Sequence, residues 1–166
     1  MPSEVFRAID AALVLGVEDK NTPEGATADG LISQYGLSNT VGKLTGVTVQ
    51  VKTDVKPFYE IGKRYPTHLR PGPVETTGTV NRAHINGALL RLLLGDGAVS
   101  PPSAGNFVQP SFNIIATLQN PARPEENAKL IVFGAKFSSW SYDIPRDDFV
   151  MEAVSFQALR VAFEEA

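Results

Sequence analysis

Apolar and polar residues alternate most cleanly over residues 44–55. Val47, Val49 and Val51 point one way and Thr48, Gln50 and Lys52 the other, the period-two signature of a strand with one wet face. Residues 58–61 read as a short second strand. Residues 74–80, rich in threonine, read as a third with one polar face. In residues 111–120, Phe112, Ile114, Ala116 and Leu118 share a face. A turn follows, and residues 128–145 predict a long strand, apolar on both faces at first, with Gly134 as a bulge or close-contact point. The last twenty residues alternate imperfectly, which predicts a strand with a kink or bulge near Ser155. One stretch has a convincing helical period. Ile85, Leu89, Leu92 and Leu93 make an i, i+4, i+7, i+8 stripe, with Gly95 placed as a C-cap and Asn86-Gly87 as a weak point near the start.

Elsewhere the periodicity fades. Val5, Ile9 and Leu13 fit one helical face, whereas residues 11–17 fit a strand. The expectation is a short helix or arm followed by a strand. Residues 18–43 show little period and read as a long loop of the kind used for function or contact. Residues 95–110 read as another loop. The 14 glycines and 12 prolines punctuate the chain at the spacing of turns in all-β domains. The fold class expected is mainly β: a β-sandwich or barrel of about six to seven strands with one flanking α-helix and a long N-terminal loop. Residues 1–166 are expected to form one domain, with 1–43 as arm and long loop. A Rossmann-type sheet would need several helices between strands, and the pattern supplies one.

Charge and composition narrow the chemistry. The net charge of −3 at pH 7 disfavours a protein that clamps nucleic acid by its phosphates. There is no cysteine, so disulfides and thiolate metal sites are excluded. No apolar run approaches the ~18 residues needed to span a bilayer. The N-terminus lacks the basic start and apolar stretch of a signal peptide, which points to cytosol-like synthesis. Residues 36–44 resemble a P-loop but miss it. Five residues separate Gly36 from Gly42 where the motif has four, Leu44 replaces the Ser or Thr, and a strand follows instead of a helix. Lys43 then reads as a solvent or interface charge. Residues 19–25 resemble the start of a calcium loop, but Pro23 takes a ligand position and the glycine comes one residue late. His68 and His84 lie in different elements without cysteine partners, and His84 reads as a helix cap or surface residue. The acidic pairs Glu125-Glu126, Asp147-Asp148 and Glu164-Glu165 read as solvated or partner-facing charges in turns or at the chain end. No catalytic constellation emerges; the expectation is not an enzyme, with no cofactor and no metal.

The segment from Glu60 to Val80 carries Lys63, Arg64, His68 and Arg70 among Gly62, Pro66, Pro71, Gly72 and Pro73. It reads as a proline-stiffened loop between two strands, prepared for contact at low ordering cost. Its cations are expected to pair with an acidic turn, Asp147-Asp148, on another copy, a heterologous contact that closes into a ring if the rotation fits. The subunit-interface candidates are therefore Lys63, Arg64, His68, Arg70, Pro71, Gly72, Asp147 and Asp148.

The same residues carry a family resemblance. Glu60, Gly62 and Arg64, then Pro66, Leu69, Pro71 and Gly72, then Glu75, Gly78, Val80 and Arg82 follow the order E-x-G-x-R, P-x-x-L-x-P-G, E-x-x-G-x-V-x-R. Together with the closing Val154, Phe156 and Ala158 behind an acidic turn, they resemble the tail tube proteins of tailed phages. The resemblance covers about residues 42–95 and 140–163. It implies a β-sandwich or barrel with a flanking helix, six copies in a ring, and sheets joined into a continuous inner barrel. Rings would stack into a hollow tube that passes viral DNA from capsid to host without sequence-specific binding. The inner tubes of contractile injection machines are related. The implied partners are further copies of the chain and other tail proteins such as sheath, terminator or baseplate components. The implied location is the virion tail after synthesis in the host cytoplasm. Thr48, Gln50 and Lys52 are the candidate lumen-facing residues. The competing expectation from the residues alone is a small-ligand-binding β-barrel closed by the helix.

Overall fold

A long β-hairpin dominates the molecule. The computed structural model describes residues 7, 11–39, 41–42, 44–99 and 108–165. Val5, Ile9 and Lys43, for which the sequence made expectations, lie outside the described residues. In chain order the elements are β1 (Ala11–Gly16), α1 (Pro23–Tyr35), β2 (Leu44–Phe58), β3 (His68–Ala83) and α2 (Ala88–Leu94), followed by β4 (Phe112–Asn120), β5 (Arg123–Asp143), β6 (Met151–Ala158) and β7 (Arg160–Glu165). They form one antiparallel sheet of seven strands in the order β1-β4-β5-β6-β3-β2, with β7 also on β5. The mainly β class with a helical cover is the one expected.

The sheet curls because β5 is shared. Its first half pairs with β4 and β7, its second half with β6. At the junction Phe112 faces Ala135 while Ile114 faces Val132, so β5 holds one extra residue there. Gly134 sits at that bulge with φ of 63°, the left-handed region that glycine enters freely. Its N–H donates to Asn113 Oδ1 at 3.1 Å. A Cβ on Gly134 would lie 2.6 Å from Leu159 Cδ1. The break in the C-terminal strand falls at that same Leu159, between β6 and β7, not near Ser155 as expected. A second bulge lies opposite Ser155, on β5 at Ser138.

The core lies inside the curl. Leu13, Leu15, Phe112, Ile114, Val132, Phe137, Val154 and Phe156 from the strands meet Ala28 and Ile32 of α1 and Leu89 and Leu92 of α2. Phe112 and Phe137 meet edge to face, with ring centroids 4.9 Å apart.

Several expectations are corrected. Residues 23–35 are a helix and not a loop, and Leu13, Leu15, Ala28, Ile32, Leu37 and Val41 join the core. Thr22 caps α1 by accepting from Gly25 N, Pro23 opens it, and Gly36 ends it in the left-handed conformation. Its buried face is Gly25, Ala28 and Ile32, too small to register as a hydrophobic stripe. The calcium-like residues 19–25 are the entry to this cap. The expected helix is shorter than its stripe. Strand β3 runs on to Ala83, Asn86 Oδ1 accepts from Ala88 N, and Ile85 stays 54% exposed. Residues 58–61 are not a separate strand, because β2 ends at Phe58. The turn after β4 is confined to residues 121–122, so Glu125 lies in β5, and Glu164-Glu165 lie in β7.

Candidate functional site

Four strand segments make a continuous antiparallel wall: β2, β3, β6 and the second half of β5. Their register places residues in rows across the wall. Thr48, Thr79, Ser155 and Ser139 form one row; Gln50, Thr77, Gln157 and Lys136 form the next. Asn81, Ala153 and Ser141 continue the same face. The opposite face carries Val49, Gly78, Phe156 and Phe137, then Val47, Val80, Val154 and Trp140. The candidate lumen residues Thr48 and Gln50 thus belong to a four-strand face of hydroxyls and amides. On this side Lys52 sits opposite Glu75, and Lys136 Nζ lies 3.5 Å from Glu24 Oε1.

Packing beneath this wall is tight. A Cβ on Gly78 would lie 2.4 Å from Phe156 Cζ and 2.2 Å from Thr48 O. Only glycine lets the Phe156 ring and the β2 backbone come this close. Gly78 and Phe156 come from the two separated stretches that carry the family resemblance, and they pair directly.

A second link between those stretches is a buried ion pair. Arg82 is 0% and Glu152 2% exposed. Arg82 Nε donates to Glu152 Oε1, Nη1 to Val41 O at 3.1 Å, and Nη2 to Asn86 Oδ1 at 3.0 Å. Trp140 Nε1 donates to Glu152 Oε2 at 3.0 Å. Both charges are therefore hydrogen-bonded, which burial requires. His84 Nδ1 lies 3.3 Å from Glu152 Oε2, within ion-pair reach but without hydrogen-bond geometry, and the ring meets Tyr142 edge-on. His84 is therefore neither a helix cap nor a plain surface residue. The group holds together β3, β5, β6, Val41 and the approach to α2.

The interface candidates separate into two places. Lys63 and Arg64 lie in the turn between β2 and β3. His68, Arg70, Pro71 and Gly72 lie within β3, so the proline-rich stretch is strand and not loop. Thr53 faces Val74 while Val55 faces Pro71, so the prolines sit at a bulge, where their missing donors cost no ladder bond. Gly72 is needed there, since a Cβ would lie 2.7 Å from Asp54 O. Pairing of β3 with β6 stops at Thr76 and Ala158. Beyond it, residues 52–58 and 68–75 pair only with each other, as a two-stranded ribbon projecting ~25 Å. Val51, Val55, Phe58, Tyr59, Ile61, Tyr65, Leu69 and Val74 on this hairpin are each at least 49% exposed. Asp147 and Asp148 lie in the turn between β5 and β6, beside exposed Ile144 and Phe149. Ala83 pairs with Met151, so this turn sits at the far end of β3 from the ribbon tip. Sixteen residues of strand separate the two ends, about 50 Å. The structure does not bring the cations and the acidic turn together within one copy.

Among the described residues two edges of the wall are open: no strand pairs with the outer side of β2 or with the β4 side of the second half of β5. The outer edge of β1 is covered instead. Leu15 N donates to Leu37 O at 3.0 Å and Val41 N to Leu13 O at 3.1 Å. The surface grooves are shallow and open; the one over the polar rows measures about 260 Å³. Among the described residues no group of three or more His, Asp or Glu is placed to hold a metal, and no helix is long and apolar enough to cross a membrane.

The described residues thus make a curled antiparallel wall with two open edges and one polar face. No protein-family model and no curated protein matches the chain. Solved structures do. The chain is similar to a protein in the anti-feeding prophage tube-terminating cap, with a TM-score of 0.65, 14% identity, and coverage of 100% of this chain and 95% of that one. It is similar to one in the sheath–tube complex of an extracellular contractile injection system, with a TM-score of 0.61, 14% identity, and coverage of 99% and 94%. It is also similar to the SPP1 tail tube, with a TM-score of 0.58, 12% identity, and coverage of 98% and 80%. The fold is that of phage and contractile-injection tail tubes, as the motif resemblance led one to expect.

Proposed function

We propose that this chain is the structural subunit of a phage-type tail tube. Six copies form a ring through their walls, and rings stack into a hollow tube whose polar face lines the lumen. The observation that carries this reading is the wall itself. It has four strands, each antiparallel to the next, so its edge strands β2 and β5 run in opposite directions. Copies related by rotation then meet with β2 of one against β5 of the next in antiparallel register, and the sheet continues around the ring. Ring closure removes the exposed edges. The number six comes from the family resemblance.

The lumen face supports passage of DNA. Its Thr48 row is uncharged, and Lys52 and Lys136 on the neighbouring rows stand beside Glu75 and Glu24. Both of these lysines thus have a carboxylate beside them, which weakens their hold on a passing phosphate. The chain's acidity lies elsewhere. Residues 51–75 hold five Lys and Arg against three Asp and Glu, net +2, so the rest of the chain carries −5. The positive ribbon of one copy and the acidic turn 144–150 of another, both with exposed apolar side chains, form the contact between rings. Lys63, Arg64, His68 and Arg70 face Asp147 and Asp148 there, while Pro71 and Gly72 shape the ribbon. Sheath, terminator or baseplate proteins bind the finished tube in the virion tail, and the subunit itself performs no catalysis.

Negative-stain electron microscopy of the purified protein tests the reading. Rings or tubes with a central hole are expected. A chain that stays monomeric at high concentration would overturn it.

A further inference from the structure

This inference rests on the edge-joined tube. Along β2 the pattern repeats every two residues: Val47-Thr48, Val49-Gln50, Val51-Lys52. That alternation decides which face turns inward. A slip of one residue is forbidden, but a slip of two keeps every face correct. A separate feature must therefore set the register between copies.

The receiving edge carries one. Strands β6 and β7 lie on one side of β5, and β4 lies on the other. Pairing with β4 ends at Phe112 and Ala135, and beyond that point no strand among the described residues pairs with the β4 side of β5. Gln109, three residues before β4, crosses this edge, and its Nε2 donates to Phe137 O at 2.5 Å. The same point is tied to α1, since Lys136 Nζ reaches Glu24 Oε1 at 3.5 Å and Ser111 N donates to Glu24 O at 3.4 Å. The next residue, Ser138, is the extra residue of the bulge.

We propose that Gln109 is a register stop. By occupying the Phe137 carbonyl it confines the β2 strand of a neighbouring copy to residues 138–143 of β5. A donor from β2 that slipped toward the first half of β5 finds this acceptor taken. One neutral hydrogen bond of this kind biases a choice between two registers by about fivefold.

The chain has no cysteine, so engineered pairs can read the register. Cysteine at Thr48, Gln50 or Lys52 is combined with cysteine at Ser139 or Ser141, in the otherwise native chain and with Gln109→Ala or Gln109→Glu. Assembled material is oxidised and the cross-linked dimers quantified. Monomer melting checks that each variant folds. With Gln109 present, pairs belonging to a single register should dominate. Both Gln109 variants should spread the product to registers two residues away, lowering the preference about fivefold. An unchanged single register in both variants, or several registers in the chain with native Gln109, overturns the stop while leaving the tube intact. Absence of rings from the native chain by microscopy overturns the tube reading and this inference with it.

Discussion

Arg82 and Glu152 show what a single residue decides here. Each would be costly alone in the core, and each is satisfied by the other together with Trp140, Val41 and Asn86. Glu152→Gln leaves a buried guanidinium without its counter-charge. The expected loss is about 3–5 kcal/mol of unfolding free energy, measured by urea denaturation. Replacing both partners by apolar residues, Arg82→Met with Glu152→Leu, should recover most of that loss, because no charge is left stranded. A double variant as unstable as the single one would show that the pair acts through its hydrogen bonds to Val41 and Asn86.

At the scale of elements, α1 and the ribbon invert what their sequences suggest. The stretch that looks like a loop is built into the body. Ala28 and Ile32 of α1 join the core, and the chain beyond it seals the β1 edge at Leu37 and Val41. Deleting residues 18–36 should therefore abolish the cooperative thermal transition of the monomer; a deletion that still melts cooperatively would mean the strands form their core without α1. The stretch that looks like a loop brace is instead strand. A two-stranded ribbon is marginal by itself in water, and its eight exposed apolar side chains have nothing to cover them in one copy. The proposed contact between copies would cover that surface.

For the whole molecule the separation of charge matters most. The ribbon's surplus of +2 stands at one end of the wall and the acidic turn with Asp147 and Asp148 at the other. Reversing Arg64 and Arg70 together to Glu should leave the monomer's melting temperature within a degree or two, since both side chains are exposed. It should also shorten or abolish tubes in sedimentation. Adding Asp147→Lys and Asp148→Lys should restore them, and no restoration would break the proposed pairing between rings. Raised salt should weaken the native contact in the same assay, because exposed charges are screened.

Local alternation was enough to identify β2 with its two faces, β4 and most of β5, because side chains on a strand answer to water one residue at a time, and Gly134 itself marked the bulge. That Thr48 and Gln50 share a polar face was legible for that reason. Glu152 was legible in principle as well: it stands in phase with Val154 and Phe156, a charge on an apolar face that calls for a buried partner. Its partner was not legible, since Arg82 lies seventy residues away. Helix α1 escaped notice because glycine and alanine bury well yet carry little hydrophobic signal. Only the tertiary structure decided which edges of the sheet stay open, that the basic ribbon and the acidic turn lie at opposite ends, and that Gln109 reaches Phe137. These depend on where the curl brings distant strands, and pairing between distant strands is set by the sum of the core's contacts, not by any one segment's own pattern.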